Sequence, residues 1–209
     1  MKQGARLDLI VLAADKDASE ALRGVLDSVE KKERCRRPKY KIISAPVHDN
    51  QARTKAHELL RPYLNQADHA LVVFDREGCG AENQPREELE AEVLGRLESN
   101  GWQGRSAVIV IDPELEAWVW GRSRMLETVL GWQGRVPGLR DVLDEEGFLP
   151  QGEFKPRRPK EAMEFALGQA EVPRSSSIFY QLATQASWRG CRDASFNKLI
   201  ATLKEWFPS

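Results

Sequence analysis

Two short runs, Ala70 to Phe74 (ALVVF) and Ala107 to Ile111 (AVIVI), each end abruptly on an aspartate, Asp75 and Asp112, with further carboxylates just beyond at Glu77, Glu114 and Glu116. Runs that are apolar at every position rather than at alternate ones have no solvent face, and with a helical stretch between them they read as buried parallel strands. Parallel strands need crossovers, so the rest of the chain must supply helices on the sheet's faces. Function in such sheets sits beyond the carboxyl ends of the strands, which is where these acids fall.

Leu7 to Ala14 (LDLIVLAA) and Tyr40 to Ala45 (YKIISA) are two more strands, completed by His69 to Phe74 and Ser106 to Ile111. Between the first two, Ala18, Ala21, Leu22, Val25, Leu26 and Val29 recur at helical spacing, with Asp17 and Glu20 as a capping pair. Asp49 or Asn50 caps a second helix to about Leu60, and Pro85 opens a third carrying Leu89, Val93, Leu94 and Leu97, its start enriched in Glu87, Glu88 and Glu90. Pro113 starts a short helical turn, ELEAWVWG. Beyond Gly121 only helices are expected, at Met125 to Leu130, Leu139 to Asp144, Lys160 to Leu167, Ile178 to Ala186 and Phe196 to Phe207, with a hinge or exposed loop over Gly147 to Pro159. The expected architecture is an α/β domain over residues 1–121, a four-stranded, mostly parallel sheet with helices on both faces, and a helical C-terminal extension over 122–209 packed on it.

The 209 residues carry 31 Lys+Arg against 32 Asp+Glu, so no overall field draws the molecule to nucleic acid or an anionic membrane. Any basic surface is local. Lys31, Lys32, Arg34, Arg36, Arg37, Lys39 and Lys41 form one cluster and Lys155, Arg157, Arg158 and Lys160 another; such clusters neutralise phosphates or simply face solvent. Cys35, Cys79 and Cys191 fit neither a disulfide framework nor a zinc spacing, which implies a reducing compartment. The N-terminal apolar run is too short for a signal peptide and no later segment spans a bilayer, so a soluble, cytoplasmic protein is expected. Ala13-Ala14-Asp15-Lys16 lacks both a P-loop and a dinucleotide fingerprint.

Asp15, Asp17, Asp49, Asp75, Glu77, Asp112, Glu114 and Glu116 should therefore gather on one sheet edge. Converging carboxylates repel unless a divalent cation lies among them, and an oxygen-only site suits Mg²⁺ or Mn²⁺. Equally, aspartates after strands cap helices and begin turns. Asp75 and Glu77 are the pair that capping does not explain, since no helix begins there. His48 is the one histidine expected near the same edge, and the six tryptophans read as core or docking residues.

The order of elements, with VVFDREG closing the third strand and VIDPELEAW the fourth, resembles the Toprim-like proteins, most of all a small family encoded beside prokaryotic defence and restriction genes. KPRRPKEAMEFAL and the closing SSSIFYQLATQASWRGCRDASFNKLIATLKEWF extend the similarity through most of the chain. The resemblance implies a Toprim-like component of an antiphage defence system, with a Mg²⁺- or Mn²⁺-dependent site for phosphodiester cleavage and nucleic acid and other defence proteins as partners. In that pattern Asp75 and Glu77 hold the metal and take part in catalysis, with Asp17 and Glu116 as further ligands. The first motif departs: where members carry a glutamate as general acid/base after strand one, this chain has Ala13, with Asp15 as the substitute. Such a group is typically worth about a hundredfold to ten-thousandfold in rate, so its loss opens the alternative of a Toprim-like binding or scaffold subunit without catalysis. A receiver-like phosphoacceptor domain also places acids after strands one and three, but it requires a lysine after a fifth strand and a shorter second half.

Overall fold

A computed structural model describes residues 6–121, 123–150, 153 and 155–209. Strands β1 (Leu7–Ala13), β2 (Tyr40–Ser44), β3 (Ala67–Asp75) and β4 (Ser106–Ile111) form one sheet in the order β2-β1-β3-β4, every neighbouring pair parallel. This is the α/β arrangement that uninterrupted apolar runs require. Successive side chains leave opposite faces of a strand, and both faces are buried. Leu9, Val11, Leu71, Val73, Ile109 and Ile111 enter one core, while Ile10, Leu12, Val72, Phe74, Val108 and Val110 enter the other.

The second core is closed by α2 (His48–Leu60) and α3 (Arg86–Leu97) through Ala52, Ala56, Leu60, Leu89, Val93 and Leu97. The first is closed by α1 (Lys16–Lys32) together with helices from the far end of the chain. These are α4 (Met125–Val129), α5 (Leu139–Glu145), α6 (Pro159–Ala170), α7 (Ser177–Gln185) and α8 (Ala194–Trp206), so the C-terminal half shares the sheet's own core. Helix α7 lies along α1, where Gly24 allows the approach: a Cβ there would stand 2.7 Å from Ala183 Cβ and 2.9 Å from the Tyr180 carbonyl oxygen.

Helix α8 packs on β4, the edge strand. The buried Glu90 of α3 accepts from Val110 N–H at 3.0 Å and pairs with Lys198 of α8 at 2.8 Å. An edge N–H that would otherwise seek another strand is thereby satisfied within the chain. Glu90 thus belongs to β4's edge rather than to the helix dipole that the sequence pattern assigns it.

Two helix starts differ from expectation. Asp15, not Asp17, caps α1, its carboxylate accepting from Ala18 N–H at 2.8 Å. Helix α2 begins at His48 with the apolar Val47 in the cap position and so no side-chain cap; Asp49 lies in its first turn, and its carboxylate accepts from Asp75 N–H across the sheet edge. The loop expected over 147–159 includes residues 151, 152 and 154, which lie outside the described residues. Among those described, no helix is long and apolar enough to cross a membrane.

Candidate functional site

The chain leaves β1 for β2 on one side of the sheet and leaves β3 for β4 on the other. Reversal of direction between neighbouring strands opens a crevice beyond their carboxyl ends. Asp15 follows β1 there and Asp75 closes β3, so the topology itself brings the two acidic turns together.

Asp75 is partly buried, and its backbone N–H donates to Asp49 Oδ1 at 2.8 Å. Burial pushes the Asp75 carboxyl well above the usual carboxylate range, and the charges of Asp49, Glu116 and Asp15 push it further, against one opposing hydrogen bond from the Leu115 backbone. Asp49 is raised as well, mainly by burial and then by Asp15. The loop after β3 is tied down on both sides. Asn50 Nδ2 and Arg53 Nε donate to the Cys79 carbonyl at 3.2 and 2.9 Å, and Arg76 and Glu77 N–H donate to the Ile111 and Pro113 carbonyls at 2.8 and 2.9 Å. Asp112 is held by Arg76 at 3.0 Å. Glu77 is exposed, and among the described residues its carboxylate has no hydrogen-bond or ion-pair partner.

Asp17 and Glu116 meet through a residue from the other end of the chain. Arg174, between α6 and α7, sits 2.8 Å from Asp17 Oδ2 and 2.9 Å from Glu116 Oε1. Its guanidinium supplies positive charge just where two of the four expected metal ligands lie. Nothing near Arg174 in the sequence marks it, since its partners are 157 and 58 positions away along the chain. Glu114, in the turn opened by Pro113, is buried and accepts from Lys160 N–H at 3.0 Å; burial, together with Glu116 and Glu77, pushes it up to about 7.

No protein-family model, curated protein or solved structure matches the chain.

Among the described residues, the edge thus contains an Asp49–Asp75 pair with no basic side chain bound to it, a separate Asp17–Arg174–Glu116 bridge, and the exposed Glu77 beside them. No three His, Cys, Asp or Glu side chains among those residues are placed to hold a metal ion as a preformed group. Magnesium seldom asks for one: it keeps several waters and takes one or two carboxylates plus phosphate oxygens. Carboxylates whose charges raise the Asp75 carboxyl are hard oxygen donors compatible with such a hydrated cation, and Arg174 already brings positive charge to Asp17 and Glu116 at this edge. The basic cluster at 31–41 is largely committed within the fold. Lys32 donates to the Ala183 and Ala186 carbonyls at 2.8 and 2.5 Å, Arg36 pairs with Asp8 at 2.9 Å, and Arg37 with Asp27 at 2.5 Å.

Proposed function

We propose that the chain is a Toprim-like component of a prokaryotic antiphage defence system that engages nucleic-acid phosphodiesters at the carboxyl edge of its sheet. Asp75 with Asp49 would hold Mg²⁺ or Mn²⁺, with Glu77 beside them toward solvent. The observation that carries this reading is the Asp49–Asp75 pair, two partly buried acids at the strand switch point, Asp49 raising the Asp75 carboxyl, with no basic side chain bound to them among the described residues. A metal bound there would supply a positive centre to offset the carboxylate charges and polarise a phosphate oxygen. Asp17 and Glu116 serve through Arg174, which fixes the turn after β4 against the start of α1.

Cleavage also needs a proton carrier. Ala13 is fully buried, and the nearest following acid, Asp15, already caps α1. This favours a second reading, in which the same edge binds nucleic acid or a defence partner without cutting. The deciding experiment pairs Mn²⁺ titration by calorimetry with cleavage assays on single- and double-stranded DNA and RNA. Under the first reading wild type binds Mn²⁺ and cleaves at least one substrate, and Asp75→Asn does neither. Metal binding without cleavage selects the second. If neither wild type nor Asp75→Asn binds metal, the carboxylate edge is structural and both metal-based roles fall.

A further inference from the structure

A concavity lies between α1, α7, the segment following β4 and the loop leading into α8, with a volume of about 500 Å³. That is within the roughly 300–1,000 Å³ typical of small-molecule sites. Its walls are mostly apolar and include three aromatic side chains in contact: Phe196 meets the rings of Trp118 and Trp188 edge-on at 5.4 and 5.6 Å. These walls are held in place. Trp118 Nε1 donates to Ser195 Oγ at 2.8 Å, Ser195 donates to Asp193 at 2.5 Å, and Lys155 pairs with Asp193 at 2.6 Å. Trp188 Nε1 donates to the Ala183 carbonyl at 3.0 Å, and the Lys32 ammonium lies 4.6 Å from its ring centre.

With Lys155 and Asp193 neutralising each other, the remaining charged lining residues are Arg189, Arg192 and Glu153, all exposed. Neither guanidinium has an ion-pair or hydrogen-bond partner among the described residues. The cavity mouth is therefore locally positive on a chain whose formal net charge is −1. Aromatic side chains accept the π-face of any nucleobase, and guanidinium groups match the oxygens of a phosphate.

We propose that this cavity binds a free nucleoside monophosphate, the base against Trp118, Trp188 and Phe196 and the phosphate at Arg189 and Arg192. One wall, the turn through Leu115, Ala117 and Trp118, also carries Glu116, so the ligand rests against the element that Arg174 ties to α1.

The test is calorimetric titration of the whole chain with AMP, GMP, CMP and UMP and with the corresponding nucleosides. At least one nucleotide is expected to bind saturably in the micromolar range, with its nucleoside at least tenfold weaker. The exposed double substitution Arg189→Ala/Arg192→Ala should weaken that nucleotide at least tenfold while leaving the circular dichroism spectrum unchanged. Ala186→Trp, which fills the cavity from its wall, should abolish binding. Absence of saturable binding by all four nucleotides at millimolar concentration overturns the proposal. So does nucleoside binding as tight as nucleotide binding, or nucleotide binding indifferent to both the arginine and the cavity-filling variants.

Discussion

Arg174→Ala removes the cation shared by Asp17 and Glu116. The Glu116 side chain is 5% exposed and that of Asp17 15%, whereas Arg174 itself is 38% exposed. Stranding a fully buried charge costs about 3–5 kcal/mol, and breaking a surface pair about 0–1 kcal/mol. Glu116 falls under the first case, but the cavity left by a part-exposed arginine admits water, so the expected loss at pH 7 is about 2–3 kcal/mol. Urea denaturation followed by far-ultraviolet circular dichroism measures it, with an unchanged slope showing that the unfolded state is the same. If the loss comes from the stranded carboxylate, Arg174→Ala made in a Glu116→Gln background should cost no more than about 1 kcal/mol, a coupling of at least about 1 kcal/mol. A single-variant loss below about 0.5 kcal/mol, or an undiminished loss in the Glu116→Gln background, would refute the bridge as the organiser of this edge.

Two further outcomes follow from the same geometry. Glu114 has a folded pKa of about 7 against an ordinary 4.5, so the folded protein binds the proton more tightly than the unfolded chain; its contribution is fully favourable below 4.5 and is lost as pH rises to about 7. Glu114→Gln, which keeps the acceptor for Lys160 N–H, should raise stability at about pH 8 by on the order of 2 kcal/mol and leave it unchanged at about pH 4, measured by urea titration at both. Gly24→Ala drives a methyl group into Ala183 and the Tyr180 carbonyl; overpacking of this kind costs about 1–3 kcal/mol, and thermal melting should fall accordingly, whereas an unchanged melt would show that α7 yields without cost.

The strands are legible because ALVVF and AVIVI are apolar throughout, rich in β-branched residues, too short for a buried helix and stopped by aspartates, and their ends mark the sheet edge. The amphipathic face of α1 is equally plain. What the pattern does not resolve is the employment of each acid. Asp15 and Asp17 lie two residues apart, and only the backbone decides which one reaches an N–H of the first turn; it is Asp15, and Asp17 turns to Arg174. Asp49 has the position of a cap but spans from α2 to the end of β3, and Glu90 has the position of a dipole partner but closes an edge strand. Each of these roles is set by a partner brought in by tertiary structure, and periodicity carries no trace of it. Arg174 is the extreme case, a lone basic residue before three serines whose importance comes entirely from where two distant carboxylates stand.

The sharing of one core between β1, α1 and helices as late as α8 has a consequence for synthesis. When β4 leaves the ribosome, the second face of the sheet can close at once with α2 and α3, but Leu9, Val11, Leu71, Val73, Ile109 and Ile111 still await Met163, Phe179, Leu182, Leu199 and Leu203. At about 5–20 residues per second, that face is covered by α1 alone for roughly four to eighteen seconds, a half-built sheet that nascent-chain chaperones are suited to shield. A chain cut after residue 121 would hold that state permanently, so its fate in the cell should be capture and degradation rather than a smaller working domain.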